Sequence, residues 1–221
     1  MKTLYAFGLC LLTLALLGYG EATNAFEPPK DLQWGMPYDS VKSKLKRIDD
    51  IQLKDLNQES PGKGYKEYPE LQLPSEFYRA EAKKLKLLDK KVQRTYLIFD
   101  PLKNLSGFHY ILKWDNNPKD YKGYRKCWVY FSDLKQILLS KYGEPTLDET
   151  AETIRGENMP SGQKYTTMWQ DSSGSSISLE ITRQTHNAII STIDAFLIFV
   201  IYSSPGIDAY REIEMTTGDE L

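Results

Sequence analysis

The chain has 221 residues, 28 Lys and Arg against 30 Asp and Glu, two Cys, two His and 41% apolar residues. That is an ordinary globular composition, which excludes a collagen, a wholly disordered chain and a disulfide-dense miniprotein. A formal net charge of −2 excludes a polycation that binds nucleic acid through bulk charge.

Residues 1–25 read as a secretory leader. Met1 and Lys2 form a short positive region, and Leu4 to Leu17 form an apolar stretch of 14 residues. The pairs Gly20/Ala22 and Thr23/Ala25 both fit the small-x-small cleavage pattern, so cleavage is expected after Ala22 or Ala25. The apolar stretch falls short of the roughly 20 residues that span a bilayer. The expected location is therefore the periplasm or the medium, with no membrane span after cleavage. Cys10 lies within the leader, which leaves Cys127 as the single cysteine, without an internal disulfide. Beside Trp128 it is expected to be buried as a small hydrophobe.

The remainder reads as one α+β domain over 26–205 with a tail over 206–221. After Trp34-Gly35-Met36-Pro37, Asp39 is placed to cap a helix with apolar residues at Val41, Leu45 and Ile48. A long polar segment, Asp49–Phe77, follows. Three strands are then expected at 80–88, 92–99 and 106–114, the last with Phe108, Tyr110, Leu112 and Trp114 on one face. A second helix, Arg125–Tyr142, carries Phe131, Leu134, Ile137, Leu138 and Tyr142 on one side and stops at Gly143, before Pro145.

A second polar segment covers Thr146–Gly162, and further strands are expected at 163–170, 176–184 and 193–202. Ala195–Tyr202 is eight apolar residues without a break, which suits a strand buried on both faces. The order suggests two tandem αβββ units, 32–114 and 120–204, forming an antiparallel sheet with both helices packed on one face.

Charge is segregated: residues 30–142 carry a net +8 and residues 143–221 a net −9. Metal binding has little support, because His109 and His186 lack partners at ligand spacing. His109 alternates with Phe108 and Tyr110, which predicts a surface or edge position. No cofactor is expected, since no glycine-rich phosphate loop follows a strand. No nucleophile elbow is present. Cys127, near the start of a helix, keeps open an enzyme with an activated thiol.

What remains is a binding surface. Lys63, Tyr65, Lys66 and Tyr68 interleave cations with aromatics, and Lys84 and Lys86 point away from Leu85 and Leu87 toward solvent. Leu32-Gln33-Trp34-Gly35-Met36-Pro37 and Lys141-Tyr142-Gly143-Glu144-Pro145 resemble a class of small exported bacterial proteins with a "WG" helix and a "YG-x-P" helix ahead of β-meanders. The plan is similar to the small lipoprotein of the outer-membrane β-barrel assembly machinery, and to the β-lactamase inhibitory proteins with their tandem repeats. This chain lacks the lipid-attachment cysteine of the former. The resemblance implies a scaffold that binds proteins or envelope components without doing chemistry. The expected function is thus an exported, non-catalytic binding protein. The alternatives are a small-ligand carrier with a pocket between helix and sheet, or an exported enzyme using Cys127.

Overall fold

The computed structural model describes residues 26–56, 76–83, 85–87, 90–116, 122–150, 159, 162–187, 192–205 and 207. Helix α1 spans Tyr38–Asp49. Asp39 does not cap it: Pro37 holds the N-cap position with φ −61°, and no side chain caps the turn. The loop does that work instead, because the Tyr38 N–H donates to the Lys103 carbonyl at 3.0 Å. Asp39 sits in the first turn, where its charge suits the positive end of the helix dipole. Val41 and Leu45 are buried, while Ile48 is 41% exposed and lies outside the apolar stripe.

Helix α2 spans Lys122–Tyr142, starting a little earlier than its apolar pattern suggests. Its buried stripe is Cys127, Tyr130, Phe131, Leu134 and Leu138, with Ile137 42% exposed. The stop at Gly143 is as expected. That residue takes φ +78°, and its N–H donates to the Leu139 carbonyl at 2.9 Å.

The strands are β1 (Leu53–Asp55), β2 (Tyr78–Ala82), β3 (Lys86–Leu87), β4 (Lys90–Lys91), β5 (Arg94–Phe99), β6 (Leu105–Asn116), β7 (Leu147–Asp148), β8 (Lys164–Gln170), β9 (Ser176–Asn187) and β10 (Thr192–Ser203). Eight of them form one antiparallel sheet in the order β1-β2-β5-β6-β10-β9-β8-β7. The chain is therefore α+β with an antiparallel sheet. Among the described residues no helix is long and apolar enough to cross a membrane.

Two expectations need correction. The polar segments are not wholly strandless, since β1 and β7 lie at their beginnings and add the two outer strands. The single strand expected over 80–88 is instead β2 plus a separate ladder, β3–β4. That ladder pairs Lys86 with Lys91 and Leu87 with Lys90, only two residues per strand.

Two apolar clusters are buried among the described residues. One joins Leu97, Phe99, Phe108, Tyr110, Leu112, Leu179, Ile198 and Val200 of the sheet with Val41, Leu45, Phe131, Leu134 and Leu138. The other joins Tyr96, Ile98, Ile111, Leu197, Phe199 and Ile201 of the alternate positions with Phe77 and Ile207. This explains the unbroken apolar run: β10 lies between β6 and β9, and Ala195–Tyr202 are all buried. It also corrects His109. The residue is fully buried, at the β6 position paired with Tyr96 on one side and Ile201 on the other. Alternation assigned its face correctly, but that face is covered.

Candidate functional site

The segment before α1, the loop after β5 and the edge of the sheet meet at one place. Asp100 closes its loop by accepting the Asn104 N–H on its carboxylate at 2.8 Å, and its own N–H donates to the Asn104 carbonyl at 2.8 Å. The same loop pairs back onto the chain entering α1, where the Leu105 N–H donates to the Met36 carbonyl at 2.9 Å. Lys103, at φ +63°, is held in the left-handed region at the tip of this arrangement. The result is an open cleft of about 640 Å³ walled by Pro37, Tyr38, Asp39, Lys42, Leu53, Asp55, Tyr78, Leu102 and Lys103.

The cleft floor is aromatic. Tyr38 packs edge-on against Tyr78 and against Phe99, each with ring centroids 5.2 Å apart. The Tyr78 hydroxyl donates to the Asp55 carboxylate, which fixes the β2 ring to the β1 strand. Burial and then the Asp55 bond push the Tyr78 hydroxyl well above the ordinary phenol range, so it stays a neutral donor. Tyr38 shifts upward too, through burial first.

The rim is cationic and apolar. Lys103 Nζ stands 4.9 Å from the Tyr78 ring centre, and Lys42 Nζ stands 6.0 Å from that of Tyr38. Leu102 is 82% exposed, an apolar side chain held out at the lip. Two lysines, two carboxylates and two phenols around an open depression can bind a mixed polar and apolar surface. The one hydroxyl paired to a carboxylate in the set, Tyr78 on Asp55, is held protonated by burial and by that bond.

The residues singled out in the sequence have different fates. Lys63, Tyr65, Lys66, Tyr68 and Lys84 lie outside the described residues, and Lys86 is placed by its backbone alone. The segment holding the first four nevertheless joins β1 to β2, the two strands that supply Leu53, Asp55 and Tyr78 to the cleft. The cleft residues themselves were not anticipated, because they come from four stretches around 38, 55, 78 and 103. The visible signal was Asp100-Pro101 with Asn104, a loop with turn chemistry beside the end of a strand.

Cys127 is free and fully buried, as its position beside Trp128 suggested. Desolvation raises its thiol far above the ordinary range, the opposite of what activation by a helix start would do. In the folded chain it is expected to react with a thiol reagent more slowly than in denaturant, by a factor on the order of 100 or more. A stoichiometric thiol titration with and without denaturant reads this directly.

A second cluster brings together the Trp34-Gly35 and Tyr142-Gly143 motifs of the sequence. The Trp34 Nε1–H donates to the Phe26 carbonyl at 2.6 Å, and Tyr142 packs edge-on against the Phe26 ring at 4.8 Å. Gly35 beside Trp34, at φ +76°, lets the chain turn there, as Gly143 does beside Tyr142. The Phe26 N–H in turn donates to Asp171 Oδ2 at 2.6 Å. The motif aromatics thus converge on one residue at the start of the described chain.

No protein family, curated protein or solved structure matches the chain.

Proposed function

We propose that the protein is an exported, non-catalytic binding protein of the periplasm or medium, and that it holds a protein or envelope component in the cleft between α1, β1, β2 and the 100–104 loop. The carrying observation is the cleft itself: a fixed aromatic floor, lysines at the rim and Leu102 82% exposed at the lip. Leu102 beside the aromatic floor and the lysine rim offers a partner apolar and polar contacts at one place. The Lys63, Tyr65, Lys66 and Tyr68 segment extends this reading, because it leaves and re-enters beside the cleft.

The architecture proposed with it is a tandem one. Each half runs helix, short outer strand, long segment and three-stranded meander, and the halves meet where β6 pairs with β10. The strand order reads the same from either edge in these terms, which supports two αβββ units. Residues of both helices share one buried cluster, which supports their lying on one face of the sheet. A small-ligand carrier is the second reading, favoured by a cleft volume within the usual range for small-molecule sites.

Site-directed photo-crosslinking in cells distinguishes them. A crosslinker at position 102 is expected to give one discrete protein or envelope adduct, while one at Val129, exposed on α2, gives none. The Asp55→Ala and Tyr78→Phe changes should each weaken the adduct by roughly threefold to tenfold. Equal labelling from both positions would sink the assignment, and a single small-molecule adduct would favour the carrier.

A further inference from the structure

We propose that the leader is cut at the Ala25–Phe26 bond, and that the new α-ammonium of Phe26 docks on the Asp171 carboxylate as a built anchor for the mature N-terminus. This rests on the reading that the chain is exported with a cleaved leader. Of the two small-x-small pairs in the sequence, only the Thr23/Ala25 pair frees the Phe26 nitrogen.

The receptor for that nitrogen is already in place. Asp171 Oδ1 accepts the Ser173 N–H at 2.8 Å, the Ser173 hydroxyl at 2.6 Å and the Ser175 N–H at 3.0 Å, which closes the turn after β8. Oδ2 is left to the Phe26 nitrogen at 2.6 Å. Among the described residues no lysine or arginine pairs with Asp171. The rest of residue 26 is held from both sides, its carbonyl by the Trp34 indole and its ring by Tyr142. Pro28 and Leu32 behind it are buried. An ordinary amide uses one proton at such a site. Hydrolysis of the 25–26 bond adds water across it, leaving a carboxylate on the leader and an ammonium on Phe26. That ammonium keeps the donor and adds a full charge opposite the carboxylate, which roughly doubles the strength of such a bond.

The first measurement is the intact mass of the full chain, expressed with its own leader in a bacterial host and recovered outside the cytoplasm. The expected mature chain begins at Phe26. A mature chain beginning at Thr23 overturns the inference and leaves export standing, whereas an uncut chain held in the cytoplasm overturns the export reading and the inference with it. The second measurement compares this protein with the Ala25→Lys form, which loses the Thr23/Ala25 pair and keeps Gly20/Ala22, its expected Thr23 start being verified by intact mass. The Phe26-start chain should show a folded-to-unfolded ratio about fivefold higher in urea titrations. That advantage should vanish when both chains carry Asp171→Asn. Equal stability of the two starts, or an advantage that persists without the carboxylate, overturns the anchor. Should Asp171→Asn fail to fold, the mass and the Ala25→Lys comparison still decide.

Discussion

Replacing Trp169 by Ala is expected to lower the unfolding free energy by about 3–5 kcal/mol, the largest effect of any single change discussed. Trp169 is fully buried on β8, opposite Ile177 of β9. Its Nε1–H donates to the Gly143 carbonyl at 2.8 Å. That carbonyl lies just past the end of α2, where the last turn of any helix has acceptors without intrahelical partners. One side chain therefore fills the core and ties the end of the helix to the sheet. Trp169→Phe separates the two roles: it keeps most of the apolar volume but removes the donor, with an expected cost of about 1–3 kcal/mol. Val129→Ala, at an exposed α2 position, should change stability by less than about 0.5 kcal/mol. Urea unfolding followed by far-ultraviolet circular dichroism measures all three. A loss below about 1 kcal/mol for Trp169→Ala would mean that β8 does not seat the end of α2.

Much of this arrangement is legible in the residues, and the reason differs by element. The strands β8, β9 and β10 fall close to where the alternation of Tyr165, Thr167 and Trp169, of Ile177, Leu179 and Ile181, and the unbroken 195–202 run place them. These strands are long, and each residue's face is fixed by what it buries. The outer strands β1 and β7 were not legible, because two or three residues carry no period and exist only by pairing to β2 and β8. His109 shows a subtler failure. Period two says which side a residue takes but not whether that side is wet, and here His109 is fully buried on the side where Tyr96, Ile111 and Ile201 cluster with Phe77 and Ile207. The cleft was illegible for a related reason: antiparallel pairing brings Asp55 to Ala80, and Tyr78 to Phe99, across gaps that no local pattern spans.

The second half of the sheet carries a charge network whose stability should depend on acid. The Lys135 Nζ of α2 donates to Asp148 Oδ2 of β7 at 2.6 Å and to the Thr150 hydroxyl at 2.7 Å. Asp148 Oδ1 accepts from the Thr150 N–H at 3.0 Å, the Thr150 hydroxyl at 2.6 Å and the Thr167 hydroxyl at 3.1 Å. Burial alone would push this carboxyl up, but the bonds from Lys135 and Thr150 outweigh it and hold the group below the usual carboxylate range. Asp171 is held low in the same sense, burial again opposing the bonds from Ser173, Phe26 and Ser175.

The sign follows. The unfolded chain binds these protons at about pH 3.9, before the folded chain does, so the contribution is complete well above that pH and is lost as pH falls through the folded value. Stability should therefore be level near neutrality and drop below about pH 5. At pH 7, Lys135→Met should cost about 1–3 kcal/mol, because it leaves a half-buried carboxylate with hydroxyl and amide partners alone. Asp148→Asn should cost a comparable amount at pH 7 and progressively less as pH falls below about 3.9 and the native carboxyl takes up its proton. Urea midpoints of the three chains from pH 7 to below about 3.9 provide the test. A gap between the native chain and Asp148→Asn that stays constant across that range would show that shape, not charge, holds α2 to β7.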